Sequence, residues 1–285
     1  MIAERFRYLR PKDLDEALAW LAESQGEVRV LAGGHSLLPL MKLRLAAPQT
    51  VLDVERVEAL RGIRLEGDVL HIGAMTRYHE LARDPLVAEY APLLAMAART
   101  VGDPQVRNRG TVGGSICHAD PAADFPAAAL AMDAEVELRS RAGKRRLPLR
   151  EFLLGPLSTA LAPNELLAAI HVPLRAGWGA AYEKFPHPAS GYAVAGVAAL
   201  INKEGGAARA VAVAVTGVGP VAYRAAATEE VLTGASLDAA RIQDGASQVA
   251  EGVEVNADLF ASADYRRHLA QVLAARALRA AWGSD

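Results

Sequence analysis

The chain predicts an α+β fold: a two-part N-terminal domain, a β-α-β unit plus a larger α+β unit, followed by a C-terminal domain with a small antiparallel sheet and helices. Three observations carry that expectation. Strand-like and helix-like runs intermix up to about residue 176. The pattern changes at Arg175-Ala176-Gly177-Trp178-Gly179. Beyond it, three strand runs precede three helices, the segregated order of α+β rather than alternating α/β architecture. The boundaries fall at 1–176, divided into about 1–55 and 56–176, and at 177–285.

In the first unit Asp13 caps a helix whose apolar residues Leu14, Ala17, Leu18 and Leu21 recur at helical spacing, and Glu16 completes a capping box. Strands follow over 28–31 and 51–54. Residues 37–45 begin as a helical turn that Pro39 breaks early. The second unit opens with a hairpin, Ile63-Arg64-Leu65 and Val69-Leu70-His71-Ile72-Gly73 around Glu66-Gly67-Asp68. Thr76 caps a short helix near His79 and Leu81. Residues 85–101 have helical spacing that Pro92 kinks or splits. An alanine-rich helix spans about 125–132. Strands read over 134–140 and 145–147, and again over 166–172, where Pro173 stops the run. The last unit offers strands over 180–185, 193–201 and 210–218. Its helices lie near 225–232, 237–251 and 264–282.

Composition bounds the function. The 285 residues are 52% hydrophobic and 22% charged, with a formal net charge of -2. That is an ordinary globular composition with no basic footprint for nucleic acid. No apolar run approaches the roughly 18 residues of a membrane helix. The start, Met1-Ile2-Ala3-Glu4-Arg5-Phe6-Arg7, has no continuous apolar segment, so no secretory signal is expected. A cytoplasmic setting follows, with any membrane contact peripheral, on the inner face and through a larger complex. The single cysteine, Cys117, excludes a disulfide framework and the four thiolates of a common iron–sulfur cluster.

Two glycine clusters are the most informative segments: Ala32-Gly33-Gly34-His35-Ser36 and Thr111-Val112-Gly113-Gly114-Ser115. Glycine lets backbone approach a ligand closely and adopt positive φ, so consecutive amides can converge on one anion. Two such turns suggest a pyrophosphate gripped from both sides. The plainer reading of each Gly-Gly pair is a tight turn. Neither cluster fits G-x-G-x-x-G or the P-loop, so the standard dinucleotide and Walker readings gain no support.

The longer segments Ala32-Gly33-Gly34-His35-Ser36-Leu37-Leu38-Pro39-Leu40-Met41-Lys42-Leu43-Arg44 and Thr111-Val112-Gly113-Gly114-Ser115 carry a family resemblance, with His118-Ala119-Asp120-Pro121-Ala122-Ala123-Asp124 trailing the second. Together with Gly73-Ala74-Met75-Thr76 and the unit after Gly177, the chain resembles the FAD-binding subunit of the molybdenum hydroxylases. More narrowly, it is similar to the medium-subunit type of aerobic carbon monoxide dehydrogenase, and the same module is the flavin domain of xanthine dehydrogenase. The resemblance implies non-covalent FAD at Ala32, Gly33, Gly34, His35, Ser36, Leu37, Gly73, Thr111, Gly113, Gly114 and Ser115. It adds Asp124, Leu167, Lys184 and Tyr192. A carboxylate at Asp124 suits cofactor hydroxyls, although the residue also reads as a helix N-cap. Lys184 would stabilise charge on reduced flavin, or else stand as a solvated strand lysine. Leu167 could equally be core. Tyr192 would cover the isoalloxazine face.

The resemblance also implies partners. A large subunit carries the molybdenum–pterin cofactor, and a small one carries two 2Fe–2S clusters. Electrons pass through those clusters to FAD and on to an external acceptor, in a dimer of heterotrimers. This chain itself holds no catalytic residue and no metal. Cys117, His118 and Asp120 superficially suggest a nucleophile or a metal pair, but the glycine turn explains that segment better. Arg139, Arg141, Lys144, Arg145 and Arg146 read as a solvated hairpin or a docking patch. Two other classes stay open: a stand-alone flavin oxidase with its own substrate pocket, and a non-catalytic nucleotide-binding assembly subunit.

Overall fold

Three larger sheets and a two-stranded hairpin organise the chain, in a computed structural model that describes residues 2–24 and 26–283. The first unit contains β1 (Arg7–Leu9), α1 (Leu14–Glu23), β2 (Val28–Leu31), α2 (Leu37–Lys42) and β3 (Thr50–Asp53). Its strands pair in parallel in the order β1-β3-β2. The second contains β4 (Ile63–Glu66), β5 (Val69–Gly73), α3 (Tyr78–Leu81), α4 (Pro85–Tyr90), α5 (Pro92–Thr100), α6 (Pro104–Arg109), α7 (Val112–His118) and α8 (Asp124–Ala131). It continues through β6 (Glu135–Ser140), β7 (Gly143–Pro148), α9 (Leu149–Phe152), β8 (Leu153–Gly155), β9 (Ser158–Thr159) and β10 (Leu166–Pro173). The third contains β11 (Gly179–Pro186), β12 (Ala193–Glu204), β13 (Ala207–Thr216), β14 (Tyr223–Arg224), α10 (Ala226–Leu232), α11 (Ala239–Ser247) and α12 (Ala263–Trp282). The α+β class stands.

Local chemistry explains most elements and corrects several expectations. Asp13 caps α1 by accepting the Glu16 N–H at 2.9 Å, but Glu16 reaches the Lys12 N–H at 2.7 Å, so the reciprocal box does not close on Asp13. Pro39 does not break α2. It is the third helical residue, where a first-turn N–H has no intrahelical partner to lose. Arg77, not Thr76, precedes α3, and its N–H goes to the Glu80 carboxylate at 2.9 Å. The second glycine cluster is not a free turn: Val112 to His118 form α7, with Thr111 as its cap.

The five-stranded antiparallel sheet, in the order β4-β5-β10-β6-β7, turns Leu70, Ile72, Val136, Leu138, Ile170 and Val172 into the main core. Its other face carries His71, His171 and Glu137. The basic hairpin is ion-paired here. Arg146 reaches Glu137 at 3.2 Å, and Arg145 grips both oxygens of Glu165 at 2.7 and 2.8 Å. Burial holds His71 and His171 below their ordinary value near 6.5, with Arg64 adding to the effect at His71 and Arg146 at His171. The unfolded chain therefore binds these protons more readily, so stability is complete above about pH 6.5 and falls as pH drops through and below it. Thermal melts between pH 7.5 and 5.5 should show a falling midpoint, and His71→Gln/His171→Gln should flatten that slope.

The four-stranded antiparallel sheet β11-β12-β13-β14 buries both faces of its central strands, β12 and β13. Alternate residues of β12 divide accordingly: Ala198 and Leu200 join the main core, while Ala195, Val197, Ala199 and Ile201 pack with α10, α11 and α12. Small residues permit close approach, and a Cβ on Gly179 would lie 1.8 Å from the Ala281 carbonyl oxygen. This sheet also holds the segment ahead of α8. The Thr216 hydroxyl lies 2.9 Å from the Pro121 carbonyl and 2.8 Å from that of Ala123, and the Gly217 N–H donates to Pro121 at 2.8 Å.

Candidate functional site

A cleft of about 770 Å³ opens along the carboxyl end of β2, bounded by α7, the segment leading into α8, the β8–β9 hairpin and the 187–192 loop. That is a cofactor-sized volume. The structure gathers on its walls Ala32, Gly33, Gly34, His35, Ser36 and Leu37 from the first cluster, and Thr111, Gly113, Gly114 and Ser115 from the second. Asp124, Leu167 and Tyr192 join them. Gly73 and Lys184 stand off the walls. Gly73 is a packing glycine, since its Cβ would lie 2.5 Å from the Leu60 carbonyl oxygen.

The two clusters are not equivalent. Gly34 turns the chain with φ +77°, and the N–H groups of Gly33, Gly34, His35 and Ser36 donate to no acceptor among the described residues. Four consecutive unpartnered donors on residues lining a cleft are the kind of set that suits an anion. The second cluster spends its amides internally. Val112 donates to Thr76 at 3.0 Å, Gly113 to Ala74 at 2.9 Å, Ser115 to Thr111 at 3.1 Å, and Gly114 to the Thr111 hydroxyl at 3.2 Å. The expected pair of open nests is thus one open nest and one close-packed floor. Glycine is required there sterically: a Cβ on Gly113 would lie 2.6 Å from that of Ala74. Gly33 is required for the same reason, its Cβ falling 2.4 Å from the Arg109 carbonyl oxygen. The first turn therefore rests directly on the backbone leading into α7.

Asp124 is not the N-cap of α8; Ala123 is, and Asp124 occupies the first helical position. Its buried carboxylate accepts the Tyr182 hydroxyl at 2.6 Å on Oδ1 and pairs with Lys184 Nζ at 2.7 Å on Oδ2. Lys184 also donates to the Thr100 carbonyl at 3.0 Å, so it lies behind Asp124 rather than in solvent. Burial raises the Asp124 carboxyl above the usual range, against the opposing pull of Lys184 and Tyr182. Burial and the adjacent carboxylate hold the Tyr182 phenol well above its ordinary value.

Tyr192 is half-exposed at the mouth, on a loop turned by Gly191 at φ +71° and closed by the His187 N–H to the Tyr192 carbonyl at 2.7 Å. Cys117, His118 and Asp120 also line the cleft. Burial pushes the Cys117 thiol up to about 12, leaving it protonated and unreactive. Sequence reasoning missed Tyr182, whose signal was legible: two residues from Lys184 on one strand, it shares a face with it. It also missed Tyr78 and Glu165, wall residues contributed by α3 and by the loop before β10, which carry no local motif.

Two family descriptions match the chain: "FAD binding domain in molybdopterin dehydrogenase" over residues 4–175 and "CO dehydrogenase flavoprotein C-terminal domain" over residues 180–281. The carbon monoxide dehydrogenase medium chain of Hydrogenophaga pseudoflava is 42% identical over 283 residues, 99% of each chain. The glyceraldehyde dehydrogenase medium chain of Sulfolobus acidocaldarius is 37% identical over 98% of this chain and 99% of its own. A solved carbon monoxide dehydrogenase from Hydrogenophaga pseudoflava, lacking the Mo-pyranopterin moiety of its molybdenum cofactor, superimposes with a TM-score of 0.96 at 43% identity, covering 99% of each chain.

Proposed function

Because the chain belongs to the FAD-binding medium-subunit family of the molybdenum hydroxylases, of carbon monoxide dehydrogenase type, we propose that it carries FAD in this cleft as an electron-transfer subunit. In that role it receives electrons from 2Fe–2S clusters of a small partner subunit and passes them to an external acceptor, while a large molybdenum–pterin subunit oxidises the substrate. The proposed setting is cytoplasmic, in a dimer of such heterotrimers. No helix among the described residues is long and apolar enough to cross a membrane.

The observation that carries the reading is the run of four unpartnered amides at Gly33 to Ser36 beside a cofactor-sized cleft. A diphosphate matches that donor set in charge and number, and hydrogen bonds to a charged acceptor contribute roughly 1.5–3 kcal/mol each. When bound, FAD supplies one- and two-electron redox chemistry. The residues divide the remaining work. Residues 33–36 would hold the phosphates, and Gly113 and Gly114, packed against Ala74 and Thr111, would keep the floor of the cleft in place. Asp124 accepts hydroxyl donors. Leu167 excludes water, and Tyr192 shields the mouth.

Titrating the purified chain with FAD tests this directly. Saturable binding with a perturbed visible flavin band, bleached by dithionite, is the expected result. Turnover of a small organic substrate by the chain alone would instead indicate a self-sufficient oxidase. Bound nucleotide without a flavin spectrum would indicate an assembly module.

A further inference from the structure

Tyr182 and Lys184 alternate onto one face of β11 and converge on a carboxylate contributed by a different unit of the chain. The phenol reaches it because the opposing strand makes room. Gly196 of β12 lies across from Lys184, and a Cβ there would stand 2.7 Å from the Tyr182 hydroxyl and 2.9 Å from Thr216 Cγ2. A carboxylate at the end of a short side chain rotates about a soft terminal torsion. Here the torsion is pinned from both sides, one oxygen by Tyr182 at 2.6 Å and the other by Lys184 at 2.7 Å. With Tyr182, Lys184 and the Asp124 N–H accounted for, the carboxylate still has lone-pair capacity, and Asp124 is itself a wall residue of the cleft.

We infer that Tyr182 is a positioning residue: with Lys184 it locks the plane of the Asp124 carboxylate so that its remaining lone pairs serve hydroxyl donors of the dinucleotide in the cleft. The inference rests on the reading of that cleft as the FAD site. It makes the C-terminal sheet part of cofactor recognition, through a residue outside the cleft lining.

The groups acting on Asp124 are Lys184 and Tyr182 from β11, Tyr78 from α3 and Tyr192 from the 187–192 loop. Burial keeps all three phenols above their ordinary values and raises the Asp124 carboxyl as well, so of these four acids the carboxylate is the first to ionise as pH rises. Removing a donor to the ionised carboxylate raises its proton affinity. The acid limb of cofactor binding must then move to higher pH.

The test is Tyr182→Phe in the full chain, with FAD affinity read by flavin fluorescence from pH 5 to 8. Affinity should fall about tenfold at pH 7.5, because a carboxylate free to rotate forfeits about one charge-assisted hydrogen bond to the ligand. The acid limb should move to higher pH. In an Asp124→Asn background the same substitution should cost nothing further. Gly196→Ala, which keeps the phenol but displaces its hydroxyl, should reproduce the shift and stands in if Tyr182→Phe fails to fold. An unmoved acid limb, or an equal loss with Asp or Asn at 124, would reduce Tyr182 to a packing residue and overturn the inference. Failure of the wild-type chain to bind FAD would instead overturn the proposed function beneath it.

Discussion

Gly33→Ala should weaken FAD binding by about a hundredfold while leaving the chain folded. The new Cβ would meet backbone, 2.4 Å from the Arg109 carbonyl oxygen and 2.9 Å from Gly110 Cα, so no side chain can swing aside to relieve it. The turn or the segment leading into α7 must shift, and the four free amides at Gly33 to Ser36 shift with it. Charge-assisted hydrogen bonds lose strength steeply with misalignment, and forfeiting one or two of them at roughly 1.5–3 kcal/mol each accounts for the expected factor. Gly155→Ala is the matched control. Its Cβ enters open space, its φ is ordinary, and the residue lies outside the cleft lining. Flavin fluorescence titration of both variants, with circular dichroism to verify folding, checks the expectation. Equal affinities would remove the 33–36 turn from the binding site.

Lys184→Met carries the largest expected cost to stability. The ion pair with Asp124 is buried, with the two side chains 5% and 4% exposed, and deleting one member strands a buried carboxylate. Losses of about 3–5 kcal/mol are typical of that change. For a chain of this size they correspond to a fall of about 10 °C in the melting midpoint. The pH dependence distinguishes this cause from a packing defect. Burial already raises the Asp124 carboxyl, with Lys184 as the chief opposing influence. Without the lysine the folded state holds the proton more tightly still. The corresponding stability is complete below the unfolded-state carboxylate range and is lost as pH rises through the folded value. The variant should therefore lie furthest below the wild type near pH 8 and recover part of the difference at pH 5. Asp124→Asn/Lys184→Met should regain much of the loss at pH 8, because no unpaired charge then remains buried. A deficit independent of pH, unrelieved in the double variant, would contradict a charge-based cause.

Much of the fold was legible because its signals are local. Asp13 before an apolar helical stripe, Gly67 between two alternating runs, and proline at the first position of α4 and α5 each state their structure within a few residues. The misreadings share a cause. Residue type alone suggests a breaker at Pro39 and a cap at Thr76, whereas position within the turn decides what each one does. The short strand β1 and the helix α6 carry too few residues for a periodic signal to emerge. In the site, the glycine clusters announced themselves. The inequality between them did not, because it depends on whether Ala74 and Thr76, far away in sequence, occupy the amides of the second.

Residue type and order alone determined the α+β class, the two glycine-rich segments, the family resemblance and the single cysteine. These follow from composition and short-range pattern, which folding does not alter. Tertiary structure decided which amides remain free for an anion, and placed Asp124 between Tyr182 and Lys184 instead of at a helix cap. It also made Gly33 and Gly73 steric necessities rather than flexible joints. Each of these turns on which atoms from distant segments come within hydrogen-bonding or van der Waals reach. That is a property of chain packing in three dimensions, and no local pattern of residues encodes it.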